Sequence, residues 1–179
     1  VNVLGCPGLF FDDVNDYVHT PSTSNLNVKD DDFTIETWVQ VEFNSESNNR
    51  GLFFEKSGED NGLSLGYLSG PRGWYPTVEL ISPYGVSQYF GLSESIDYGE
   101  WTHIAAQREG NELTIFVNGL AIDASVFGPD SANSHLIQNV APVILSGSSF
   151  DDGTAGIYGR MGALRLTIDP VYDGVVIPS

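Results

Sequence analysis

The chain has 179 residues, the size of a single domain, and a core of that size folds without a disulfide or metal staple. Seven Lys and Arg against 24 Asp and Glu give a formal charge of −17, which repels nucleic-acid phosphates and anionic headgroups. The apolar fraction of 41% argues against disorder, the lone Cys6 excludes an intrachain disulfide, and no apolar run reaches the ~20 residues of a membrane span.

Twenty Gly and nine Pro punctuate short runs rich in Val, Ile, Phe, Tyr, Thr and Trp, the pattern of an all-β chain. In chain order, strands are predicted at Leu9–Phe11 and Asp16–Thr20, then at Phe33–Val41. The last alternates cleanly, with Phe33, Ile35, Thr37, Val39 and Val41 on one face and Trp38 the apolar exception on the other. Gly51–Glu55, Leu63–Leu68, Thr77–Ile81 and Gln88–Gly91 follow. Trp101–Arg108 turns through Gly110 and Asn111 into Leu113–Val117, and Asn118-Gly119 is a strong hairpin signal into Leu120–Ala124. Pro142–Ser146 and Met161–Thr167 complete the set, with residues 119–139 loop-like in their second half. No stretch holds a helical period over three turns. Short antiparallel strands hide their apolar faces most economically in two stacked sheets, so one domain over residues 1–179 is expected, an all-β jelly-roll sandwich.

Several of these runs also occur in a familiar order. Leu9-Phe10-Phe11-Asp12-Asp13-Val14-Asn15-Asp16-Tyr17-Val18, then Phe33–Val39, Gly51–Lys56, Trp101–Ala105, Leu113–Gly119 and Gly159–Leu166 resemble, over about residues 8–170, laminin-G-like domains of the concanavalin A-like lectin/glucanase superfamily. Asp13 departs from the glycine usual in the opening motif, and Gly162-Ala163-Leu164 from the acidic residues often found in the final strand. Arg165-Leu166-Thr167, Val171-Tyr172 and Ile177-Pro178 are similar to the tail that follows such modules in bacteriophage tail and fibre proteins.

The candidate chemistry is recognition. Glucanases of that superfamily carry Glu-x-Asp-x-x-Glu on one strand, a string absent here, while Glu94-Ser95-Ile96-Asp97 has the wrong interval. His19, His103 and His135 lie far apart with no nucleophile elbow, and His103 in its Trp-x-His strand reads as a packed residue; no enzyme activity is expected. Calcium takes six to eight oxygens and is the candidate cofactor, at Asp12 and Asp16 together with Asp151 and Asp152; solvated loop charge is the alternative for these and for Asp30-Asp31-Asp32. Sugar rings stack on exposed aromatics. Trp74 and Tyr75, in a Pro/Gly-rich segment expected to be a loop, and Tyr84 and Tyr89 beyond it, are the candidate glycan contacts, with burial of Trp74 at one end of the sandwich as the alternative.

The resemblance implies a non-catalytic adhesion module on a phage virion, in tail, fibre or capsid surface, that binds a host-surface glycan. Two rival readings stand beside it: a structural virion protein with only protein–protein contacts, and an extracellular carbohydrate-binding module of a secreted bacterial protein. A homo-oligomer is compatible with each, and neither nucleic acid nor membrane insertion with any.

Overall fold

The computed structural model describes residues 8–12, 15–24, 26–42, 50–58, 61–70, 73–83, 85–128, 139–147 and 155–172. Every regular element among them is a strand: β1 Leu9–Asp12, β2 Val18–His19, β3 Phe33–Val41, β4 Arg50–Ser57, β5 Gly62–Gly70, β6 Gly73–Ser82 and β7 Gly85–Gly91. The chain continues through β8 Trp101–Glu109, β9 Glu112–Val117, β10 Leu120–Ile122, β11 Ala124–Phe127, β12 Ile144–Leu145 and β13 Tyr158–Thr167. They form two antiparallel sheets, six strands in the order β1-β13-β3-β8-β9-β10 and seven in the order β11-β7-β6-β5-β4-β12-β2. The expected two-sheet sandwich is the observed fold.

The alternation of β3 explains how the sheets meet. Phe33, Ile35, Thr37, Val39 and Val41 are all buried, as that pattern requires. The apolar members share one core with Phe53, Phe54, Leu63, Leu65, Tyr67, Val78 and Leu80 of the other sheet. Each such side chain contributes about 1.5–3 kcal/mol on burial. Asn118 and Gly119 adopt φ of 50° and 79°, the geometry that a two-residue hairpin of this hand demands. Asn118 also accepts the His103 amide on Oδ1 at 2.9 Å and donates its own to the His103 carbonyl at 2.8 Å.

Three expectations need correction. Trp74 and Tyr75 lie in β6, not in a loop. Pro76 is tolerated inside that strand because the ladder with β7 begins only at Thr77, so its missing N–H leaves no gap there. Beyond that point the free edge of β6 is taken by Ile96, whose amide reaches the Trp74 carbonyl at 2.7 Å. Second, Leu120–Ala124 is not one strand. The chain leaves the six-stranded sheet after Ile122 and joins the seven-stranded one at Ala124, so the expected strand divides at Asp123 and its second part runs on to Phe127. The switch residue is Asp123, whose carbonyl accepts the Leu92 amide at 2.8 Å. Third, the strands expected over Asp16–Thr20 and Pro142–Ser146 shrink to the two-residue pairings of β2 and β12.

Two buried cations tie loops to the sandwich. Arg108 is fully buried, donates to the Lys29 carbonyl at 3.0 Å and to that of Asp31, and lies 5.0 Å from the Phe33 ring centre. Lys56 donates to the carbonyls of Thr23 at 2.7 Å and Ala141 at 2.9 Å, and to Asn139 Oδ1 at 3.0 Å. Burial without a carboxylate partner in these contacts pulls its pKa below the usual lysine value.

Candidate functional site

Alternation along the seven-stranded sheet separates a core face from an outer face. On β6, Trp74, Val78 and Leu80 enter the core, which leaves Tyr75, Thr77 and Glu79 outside. Register carries that outer face across the sheet. Tyr75 stands opposite Leu68, Glu79 opposite Ser64 and Gln88, Phe90 opposite Ser125, and Gln88 opposite Phe127. Arg50 of β4 stands opposite Leu68.

Leu68, Tyr75, Phe90, Leu92 and Phe127 line a groove of about 390 Å³ on this face, with Ser69 and Ser125 also in its wall, and Ser125, opposite Phe90, shares the outer face. That volume is within the range of small-ligand sites. Phe127 is 62% exposed, and its ring meets Phe90 edge to face with centres 5.4 Å apart. A polar network borders the groove. Glu79 Oε2 accepts from Arg50 at 2.8 Å and from Ser64 at 3.5 Å, while Oε1 accepts from Gln88 at 2.5 Å. With both oxygens serving as acceptors, Glu79 is arranged as an anchor rather than as a proton donor.

The predicted site residues divide. Tyr75 lines the groove. Trp74, only 5% exposed, and Tyr89, 8% exposed, belong to the core, because their alternation turns them inward. Tyr84 lies outside the described residues, as do Asp151 and Asp152. Asp16 directs Oδ2 to the Asp12 amide at 3.2 Å, a turn contact. Among the described residues no three His, Cys, Asp or Glu side chains converge as metal ligands, so Asp12 and Asp16 do not by themselves fit the oxygen shell of calcium. The Asp30–Asp32 loop is held by Arg108 through backbone carbonyls, and Asp32 caps the Gly110 amide at 2.7 Å.

Phe127, Ser125, Arg50 and Glu79 escaped the sequence reading. Pro71, Gly73 and Pro76 obscure the Tyr75-Thr77-Glu79 alternation, which was the available signal for β6; nothing local marks Ala124–Phe127 as a strand. His103 is on the opposite, six-stranded sheet. It is buried, with Nε2 3.2 Å from Glu36, its ring 5.2 Å from that of Trp38, and Nδ1 without a hydrogen-bond partner among the described residues. Burial pushes its pKa below the ordinary histidine value, against the raising effect of Glu36.

A family model described as concanavalin A-like lectin/glucanases superfamily, of laminin G type, matches residues 12–166. No curated protein sequence matches the chain. Similar solved structures include domain 4 of AbnA, an extracellular GH43 arabinanase from Geobacillus stearothermophilus in complex with arabinotriose: 18% identity, TM-score 0.62, covering 91% of this chain and 71% of that one. The CBM40 of the Ruminococcus gnavus IT-sialidase bound to α2,3 sialyllactose gives 12% identity and TM-score 0.55, with coverage of 87% and 94%. Mouse laminin α1 domains LG4-5 give 14% and 0.64, with 89% of this chain matching 40% of that one. At these identities the likeness is one of fold.

Proposed function

The chain belongs to the concanavalin A-like lectin/glucanases superfamily, and we propose that it is a non-catalytic carbohydrate-binding module whose ligand lies in the outer-face groove. The exposed ring of Phe127, beside Phe90 and Tyr75, carries the reading. Aromatic faces of this kind receive the C–H faces of sugars, and Ser125, opposite Phe90 on the outer face, brings a hydroxyl for polar contacts. The arabinotriose and sialyllactose complexes of two structures of similar fold support a sugar ligand. Glycan-array binding by the full chain tests it. Tyr75→Ala and Phe127→Ala are expected to lower affinity at least tenfold without changing the fold, and incubation is expected to leave the bound glycan uncut. Affinity unchanged by both substitutions sinks the groove as the site.

Display on a virion surface is a separate part of the proposal, supported by the resemblance of the segment from Arg165 to Pro178 to phage tail proteins. Detection of the chain in purified particles checks it against secretion as part of a bacterial protein, and a blank array with the chain assembled in particles favours the purely structural role. Calcium at Asp12, Asp16, Asp151 and Asp152 is likewise proposed independently of the groove. It predicts a melting temperature that rises with calcium and falls with a chelator.

A further inference from the structure

From the charge around the groove we infer its ligand class: neutral oligosaccharides, with acidic ones excluded by the engagement of Arg50 with Glu79. The inference rests on the carbohydrate-binding reading and deepens it. The residues lining the groove carry no charge. Among the described residues, Arg50 is the cation whose strand position borders it, directly opposite Leu68. Its guanidinium is already bound to Glu79 at 2.8 Å, and Glu79 is the more enclosed partner, its side chain 10% exposed against 36% for Arg50. Gln88, on the strand that carries Phe90, donates to the second Glu79 oxygen.

A sialyl, uronate or sulfate group held by charge at this border would compete with Glu79 for the Arg50 nitrogen that binds it, an exchange of one anion for another. That exchange leaves a poorly solvated carboxylate without its counter-charge and brings a second anion beside it, on a chain already at −17. A neutral sugar requires no such exchange. It stacks on Phe127 and Tyr75 and leaves the network intact. Glu79 is therefore a specificity-determining residue that acts through Arg50.

The test is a glycan array carrying neutral, sialylated, uronate-containing and sulfated oligosaccharides, followed by calorimetry on the full chain and on Tyr75→Ala, Phe127→Ala, Arg72→Gln and Glu79→Gln. Arg72 is included because it lies in sequence between β5 and β6, outside the described residues. Neutral ligands are expected, with affinity lost at least tenfold in the two aromatic variants and changed less than twofold between 50 and 500 mM salt. Acidic ligands that bind through the groove, whether or not Arg72→Gln abolishes them, overturn the neutral class while the carbohydrate reading stands. No binding, or binding indifferent to both aromatic substitutions, overturns both. In Glu79→Gln an acidic oligosaccharide is expected to gain at least tenfold. A folded variant that still rejects it removes Glu79 from the specificity role.

Discussion

Trp74 lies flat against Tyr67, with ring centres 4.3 Å apart and planes within 8° of parallel. Tyr98 meets the indole edge to face with ring centres 4.9 Å apart, and Trp74 is buried between these contacts and the core. Trp74→Ala is therefore expected to act on stability. Removal of a buried indole costs about 3–5 kcal/mol, which lowers the melting temperature of a chain this size by roughly 10 °C. Thermal unfolding of the variant checks it, and an unchanged melting temperature would return Trp74 to the list of surface contacts.

That pair marks where local pattern stops being informative. The faces of β3 and the Asn118-Gly119 hairpin were legible because period-two alternation and a φ > 0 dipeptide are properties of adjacent residues. Trp74 and Tyr75 are adjacent too, but which of them faces outward depends on whether their segment is strand or loop, and Pro76 argued for loop. The strand forms because β5 pairs with β6 along its whole length while β7 stops short of the proline.

The groove was harder still. Arg50, Glu79, Gln88 and Phe127 come from four strands, and only cross-strand register brings them together. Phe53 and Phe54 show the same limit. Both belong to the one core although they are adjacent, and the register of β4 against β5 shifts between Leu52 and Phe54, a bulge that strict alternation does not anticipate.

Arg108 offers a test of how firmly the 29–32 loop is held. Its guanidinium is fully buried and serves the carbonyls of Lys29 and Asp31. Arg108→Met keeps much of the packing over Phe33 but leaves those acceptors without their donor, at a cost of about 2–4 kcal/mol. Denaturant unfolding is expected to show the loss, together with faster proteolysis at Lys29. A variant as stable as the parent would mean that the loop finds other donors.

His103 sets a pH dependence with a definite sign. Burial holds its folded-state pKa below the 6.5 of a free histidine, so the unfolded chain takes up this proton first as the pH falls. Above pH 6.5 the residue is neutral in both states and makes no contribution. Below it, stability declines progressively until the folded-state pKa is reached. His103→Gln is expected to lack this part of the slope, whereas the carboxylate titrations at lower pH remain. Denaturant midpoints of the two proteins between pH 7 and 5 decide the matter; parallel curves would show that His103 is protonated as easily inside the fold as outside it.

Gln107 separates the two faces of the molecule. From β8 its Oε1 accepts the amides of Val171 and Tyr172, each at 2.8 Å, and its Nε2 donates to the Tyr172 carbonyl at 2.9 Å. These bonds hold the segment after β13 against the six-stranded sheet, where the Tyr172 ring packs on Phe116 with centres 5.0 Å apart. Gln107→Leu removes every one of those side-chain bonds in a buried setting, at a cost of about 2–3 kcal/mol. Hydrogen exchange at Val171 and Tyr172 is expected to accelerate more than in the core strands. The groove lies on the other sheet and makes none of these contacts, so glycan affinity is expected to stay within twofold of the parent. Loss of binding in this variant would instead tie the C-terminal segment to recognition and shift attention from the outer-face groove to the six-stranded sheet.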